Sequence, residues 1–429
     1  MIGYLLVGVF LVLMLIGIPI AFVIGIVAFL GIINIEYIPE MSVPMRMMNE
    51  LNSFVLLAVP LFILVANLMN QGKISEKLIE FALAIVGSLR GGLAQANILV
   101  SMMFAGVSGA SQADTAGVGK ILIPSMKKNG YDDETAVGVT AASSTVGVVI
   151  PPSIPMIIFA GITNASVGAL FLAGIVPGIL VALAMMIFVY FVAKKRDFQR
   201  YERVEASRFF KLLFESLPAL LTPIIIIGGI VAGVFTATEA AAVAAVYTLL
   251  VSMFFYKTLK LSHLPKVLFD TLSLSSLSLF ALAAAGALGE LMGYYQLGMQ
   301  AQAFFTDYID AKWIFIIITI LFFLFIGTFM DAIPAMILFV PVIMPTAAQF
   351  GLDPVHLGLI VVMTLAVGLV TPPYGLCLLL ASKIGNLPIE RSFRAVLPYM
   401  TIILIVLGAV AFFPEVAMYV PKMLNPDLF

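Results

Sequence analysis

The passage Gly106-Val107-Ser108-Gly109-Ala110-Ser111 decides how this chain is read, together with Ser143-Ser144-Thr145-Val146-Gly147-Val148-Val149-Ile150-Pro151-Pro152 downstream of it. Each is rich in hydroxyls and helix breakers, inside sequence that is otherwise apolar. The pair returns once, in weaker form. Gly327-Thr328-Phe329-Met330-Asp331 answers the first passage, and Leu365-Ala366-Val367-Gly368-Leu369-Val370-Thr371-Pro372-Pro373 answers the second. A bilayer offers backbone N–H and C=O groups no water, so a broken helix survives there only when buried in protein or lining a cavity. Two such breaks at corresponding places in the halves of a chain mark where membrane carriers bind solute.

Subtracting 221 maps Gly327 onto Gly106, Pro345 onto Pro124, Gly351 onto Gly130, Asp353 onto Asp132, Gly368 onto Gly147, and Pro372-Pro373 onto Pro151-Pro152. These identities share one offset without a gap, and Gly, Pro and Asp are the residues that set backbone shape. Gly and Pro are frequent in membrane helices generally. A Pro-Pro pair at a matching spacing goes beyond that background.

Of 429 residues, 62% are hydrophobic and 10% charged, with a mean hydropathy of +1.16; soluble domains carry about 25% charged residues. The composition therefore predicts an all-α polytopic membrane protein. A net charge of -1 leaves no footprint for nucleic acid. The single Cys377 sits in an apolar run, as a packing residue would. Two histidines, His263 and His356, form no Cys/His zinc pattern. Residues 2–33 have no basic n-region and no small-residue cleavage site, so they read as a spanning helix.

A polar connection at residues 34–52 holds Glu36, Glu40, Arg46 and Glu50. Lys73, Glu76, Lys77 and Glu80 share a helix face. Residues 93–104 are too short to cross about 30 Å of hydrocarbon; with the break at 106–111 and the return at 112–126 they predict a re-entrant hairpin with its tip near the midplane. Residues 135–149 read as a half helix stopped by Pro151-Pro152, since proline disfavours α conformation before it. The same plan follows at residues 314–350 and 357–381. The expectation is two inverted repeats, each with a re-entrant hairpin and a broken helix, in roughly ten to twelve spans plus the hairpins. Residues 1–193 form the first half and 212–429 the second. The connector at 194–211 carries Lys194, Lys195, Arg196, Arg200, Arg203, Arg208 and Lys211, which predicts the cytoplasmic side.

Unwound helices expose carbonyl oxygens, and half-helix C-termini carry partial negative charge; both suit Na⁺. Half-helix N-termini suit a carboxylate. One cation site is expected from Ser108, Ser111, Gly147, Ile150 and Pro152. The other is expected from Gly327, Thr328, Met330, Gly368, Val370, Thr371 and Pro373. The competing role for each hydroxyl is packing between helices. Asp114, Glu239, Glu290 and Asp331 need a reason to be in apolar sequence. Helix capping is as good a reason as binding for Asp114, Asp331 and Glu239. Arg46 and Arg90 are candidate partners for these acids or for a substrate carboxylate. No cofactor is implied beyond the coupling ion.

The same broken helices would serve an ion channel. Asp114 and Asp331 would serve an intramembrane aspartyl protease if they touched. Neither alternative uses the paired halves and the double prolines as well as alternating access does.

The Gly106-to-Ser111 tip, Ile150-Pro151-Pro152-Ser153, Thr238-Glu239-Ala240-Ala241-Ala242 and Val370-Thr371-Pro372-Pro373 resemble the large membrane subunit of TRAP transporters, the DctM type, over essentially the whole chain. The resemblance implies Na⁺-coupled uptake of an organic acid across the bacterial inner membrane by an elevator mechanism. It implies two partners, a small membrane subunit and a periplasmic substrate-binding protein. Met1 opens directly onto a large-subunit helix, so the small subunit is expected as a separate chain. The wording looks most like the sialic-acid (N-acetylneuraminate) branch, with C4-dicarboxylates open. The family's substrate groove carries over to Asp114, Ser143, Ser144, Thr145, Ser153 and Thr371.

Overall fold

The computed structural model describes residues 2–35, 37–39, 41–198, 200–309 and 311–424; Glu36, Glu40 and the connector residue Gln199 lie outside them. All regular structure among the described residues is helical. An opening group comprises α1 (Ile2–Leu15), α2 (Ile20–Ile33) and α3 (Ser42–Leu51). The first repeat runs through α4 (Ala58–Gln71), α5 (Ile74–Val86), α6 (Gly92–Ser108), α7 (Ser111–Lys128), α8 (Asp133–Ser144), α9 (Ile154–Thr163) and α10 (Val167–Arg196). Next come α11 (Ala206–Val231) and α12 (Ala237–Leu250). The second repeat comprises α13 (Leu264–Tyr294), α14 (Leu297–Tyr308), α15 (Lys312–Gly327), α16 (Ala332–Gln349), α17 (Pro354–Gly368), α18 (Leu376–Gly385) and α19 (Ile389–Phe412). A short α20 (Glu415–Leu424) closes the described chain.

The 221-residue offset reaches well beyond the motifs that announced it. Adding it to Ser111 and Lys128 gives 332 and 349, the bounds of α16. Adding it to Asp133 gives 354, the start of α17. The same physics starts both helices: the Asp132 carboxylate accepts from the Thr135 N–H at 2.8 Å, and that of Asp353 from the Val355 N–H at 2.8 Å. Gly130 and Gly351 both turn the chain with positive φ just before these caps. Pro151-Pro152 and Pro372-Pro373 are both cis.

The repeats also exchange partners as a two-fold relation requires. α7 packs on α18 and α16 on α9; α8 packs on α19 and α17 on α10. Thus each hairpin rests on the broken helix of the other repeat, around a core holding Phe104, Phe159, Phe171, Phe315 and Phe323, all fully buried. Among the described residues, seven helical segments are long and apolar enough to cross a membrane. The shorter apolar helices include α6 and α15, which are hairpin arms, and α9, α17 and α18, which are halves of broken helices.

Within the passage 106–111 the first break falls at Gly109 and Ala110. α6 continues to Ser108. A methyl group on Gly106 would stand 3.0 Å from Cβ of Pro223, so this glycine admits α11 rather than ending a helix. Glu239 is a cap: the Thr236 N–H donates to its carboxylate at 2.8 Å, and its own N–H donates to the Thr236 hydroxyl.

Candidate binding site at the hairpin tips

Gly109, at φ +61°, turns the first hairpin, and α7 starts two residues later. The tip is tied to the facing break. The Ile154 N–H donates to the Gly109 carbonyl at 3.3 Å, and a methyl group on Gly109 would stand 2.7 Å from the Pro152 carbonyl oxygen. In the second repeat the Tyr374 N–H donates to the Thr328 carbonyl at 2.9 Å. Gly147 faces Ser111, with space for one methyl group at 3.4 Å from its Cα. Gly327 and Gly368 touch backbone to backbone. All four passages singled out in the sequence therefore form two tip-to-break contacts.

The hydroxyls differ in what they already do. Ser153 caps α9, accepting from the Met156 N–H at 3.3 Å and donating to the Val148 carbonyl at 2.6 Å. Ser144 donates to the Thr140 carbonyl, Thr145 to Ala142, Thr328 to Phe325 and Thr371 to Val367, each at 2.7 to 2.8 Å. Ser143 lies 3.0 Å from the Ser101 hydroxyl, beside an Asn97–Thr140 bond of 2.6 Å, in a polar seam that joins α6 to α8. Ser108 accepts only a long contact of 3.5 Å from the Ala110 N–H. The Ser111 hydroxyl has no hydrogen-bond partner among the described residues, although it is fully buried.

Asp114 follows one turn later on α7. It is fully buried, and neither carboxylate oxygen has a hydrogen-bond partner among the described residues. The hydroxyls of Ser101 and Ser144 lie beside it without bonding it. So Asp114 is not a helix cap, whereas Asp331 is one: it accepts from the Ala332 N–H at 2.8 Å. The two carboxylates share no hydrogen bond and form no protease dyad. A buried polar group without a partner costs about 1–3 kcal/mol, and more when charged. Ser111 Oγ and the Asp114 carboxylate are thus the oxygens in this site that a cation or a ligand hydroxyl would satisfy.

The structure brings further residues here that the sequence reading did not place in the site. Cys377, fully buried on α18, adjoins Thr115 and lies within electrostatic reach of both Asp114 and Asp331. Tyr374 ties the second tip to its break. Asn70, on α4, faces Gly117 of α7 with its buried Oδ1 unbonded among the described residues; the amides Asn67 and Asn70 in an otherwise apolar helix were the available signal. The two arginines stay away. Arg46 pairs with Glu290 at 3.1 Å. Arg90 precedes α6, whose 17 residues put about 25 Å between it and the tip.

The chain is similar to known proteins over nearly its whole length. Residues 7–416 match the family described as the tripartite ATP-independent periplasmic transporter, DctM component. The sialic acid TRAP transporter large permease protein SiaM of Vibrio cholerae is 38% identical over 88% of this chain and 88% of its own. The C4-dicarboxylate TRAP transporter large permease protein DctM of Pseudomonas aeruginosa is 37% identical over 90% of each. In fold, the chain is similar to the YdaH transporter of Alcanivorax borkumensis, with a TM-score of 0.59 at 15% identity over 86% of this chain and 87% of that one.

Proposed function

We propose, from the premise that this chain belongs to the DctM family, that it imports an organic acid together with Na⁺ by an elevator movement of its hairpin core. As a family member it is the large permease subunit of a binding-protein-dependent TRAP transporter in the inner membrane, and a transporter rather than an enzyme. It works with a small membrane subunit and a periplasmic binding protein.

One observation carries the movement. Of the two arms of the first hairpin, α4 and α5 lie mainly against the first, α6. Of the two arms of the second hairpin, their counterparts α13 and α14 lie mainly against the second, α16. Inverted repeats of matching fold thus hold their flanking helices differently. Exchanging the two arrangements generates a state open to the opposite side.

Sodium coupling is supported by the unbonded Ser111 hydroxyl and Asp114 carboxylate beside unwound backbone. The first cation would draw on Ser108, Ser111, Gly147, Ile150 and Pro152, and the second on Gly327, Thr328, Met330, Gly368, Val370, Thr371 and Pro373. For the substrate we favour sialic acid. Asp114 has no basic partner among the described residues, so a dicarboxylate meets like charge there, whereas a polyhydroxylated acid offers hydroxyl donors. A C4-dicarboxylate is the second reading, favoured by the Pseudomonas aeruginosa relative. Uptake into proteoliposomes with both partner proteins, with and without a sodium gradient, tests the whole. Import of sialic acid only under inward sodium supports it. Equal import in sodium-free buffer under a proton gradient overturns the coupling, and import of a C4-dicarboxylate alone overturns the substrate.

A further inference from the structure

A concavity with charged walls lies away from the tips, where the N-terminal ends of α8 and α19 meet the C-terminal end of α10. It has a volume of about 470 Å³ and is lined by Arg196, Arg391, Arg394, Glu134, Phe188 and Pro398, among others. Its charges come from three elements. Arg196 bonds Asp132 and also reaches the Thr135 hydroxyl at 3.0 Å. Arg391 grips Glu134 through Nε and Nη2. These pairs hold two guanidinium forks in place while leaving donors on each. Arg394 has no partner among the described residues. Three guanidinium groups thus meet two carboxylates, and one positive charge is left over.

The surroundings state what kind of anion fits. Lys194 and Lys195 precede Arg196 at the end of α10, so the groove sits at the basic end of a membrane helix. Just beyond it α10 exposes Ile187 and Phe191, and α19 exposes Leu397 and Ile405. These apolar faces run into the span from the charged mouth. Arginine forks match phosphate oxygens in bidentate geometry, and basic pockets between membrane helices take acidic headgroups. A soluble phosphate ester would use the arginines and leave the apolar faces without a role. We propose that this groove binds the phosphodiester headgroup of an anionic phospholipid, with Arg394 as the residue that takes the phosphate and acyl chains lying along α10 and α19.

The test needs no transport assay. The full chain in detergent is titrated with phosphatidylglycerol, phosphatidylcholine or soluble glycerol phosphate, and binding is read by native mass spectrometry and by melting temperature. Phosphatidylglycerol is expected to bind about tenfold more weakly to Arg394→Gln, the loss of one charge-assisted hydrogen bond. Arg394→Lys, which keeps the charge and loses the fork, is expected in between. Arg394 is exposed, so both variants should melt like the parent without lipid; should Arg394→Gln fail to fold, Arg394→Lys carries the comparison. Equal binding of phosphatidylcholine, or undiminished phosphatidylglycerol binding by the variants, overturns the proposal. Glycerol phosphate binding as tightly as the lipid overturns the lipid as its source.

Discussion

A methyl group added to Gly368 would stand 2.6 Å from the carbonyl oxygen of Gly327. Its counterpart on Gly147 would meet Ser111 at an ordinary 3.4 Å. Equivalent glycines of the two repeats therefore tolerate different things. Gly368→Ala should push the second hairpin off its break and destabilise the protein by about 1–3 kcal/mol, the usual cost of overpacking. Gly147→Ala should fold normally. Melting curves of the two variants decide the point, and equal stability would contradict the asymmetry.

Much of this architecture was legible because Gly, Pro and Asp act through the backbone. The offset found at Pro124 and Pro345 extends to the bounds of α7 and α16, since turn, cap and proline chemistry fix where helices start. What side chains do was harder to read. Gly106 looks like a break and is a contact with Pro223. Ser153 and Ser111 look alike in sequence. Yet Ser153 caps a helix and Ser111 is left unbonded, because only the folded chain decides which backbone groups arrive within reach. Cys377 gave no hint of its nearness to Asp114 and Asp331, which comes from the packing of α7 on α18 across repeats.

Asp114→Asn should separate function from stability. A buried carboxylate without partners burdens the fold when nothing is bound, and a neutral amide removes that charge. The variant should melt at or above the parent temperature in sodium-free buffer, and should lose the stabilisation that sodium gives the parent. A variant that melts much lower in sodium-free buffer would mean that the carboxylate has structural partners after all.

The two hydroxyls should also part company. Ser111→Ala removes an oxygen that bonds nothing, so the half-saturating sodium concentration should rise about tenfold, a loss of ~1.4 kcal/mol. Stability should hardly change, as membrane hydroxyls contribute only about 0.6 kcal/mol on average. Thr371 already donates to Val367 at 2.8 Å, so Thr371→Ala should have a smaller effect on sodium. Sodium-dependent uptake measured side by side tests the order. A larger effect at Thr371 would shift the main ion site to the second repeat.

Topology follows from the basic connector. A cysteine at exposed Glu202, in a Cys377→Ser background, should react with an impermeant maleimide only in inverted vesicles. Reaction in intact spheroplasts would turn the whole molecule over.

The exchange of packing between repeats makes a sharper claim about a conformation other than the one described. A methyl group on Gly298 of α14 would stand 3.5 Å from Cγ of Pro345 and 3.7 Å from the Pro341 carbonyl of α16. Subtracting 221 turns these positions into Lys77, Pro124 and Lys120. In the present state Lys77 is bonded to Glu80 at 3.1 Å and Glu215 at 3.0 Å, pairs exposed enough to add little stability. In the opposite state α5 should lie on α7, bringing Lys77 to Lys120. The pair Lys77→Cys and Lys120→Cys, in the Cys377→Ser background, should then form a disulfide only while the transporter cycles, and the bond should arrest uptake until reduced. The control pair, Gly298→Cys with Pro345→Cys, should cross-link in the resting protein, because those residues already adjoin. Cysteine Cα atoms more than about 7 Å apart cannot bridge without backbone movement, so a bond between positions 77 and 120 reports the movement itself. If the reduced variant transports normally and no cross-link forms under sodium and substrate, the two repeats do not exchange roles, and the elevator reading fails.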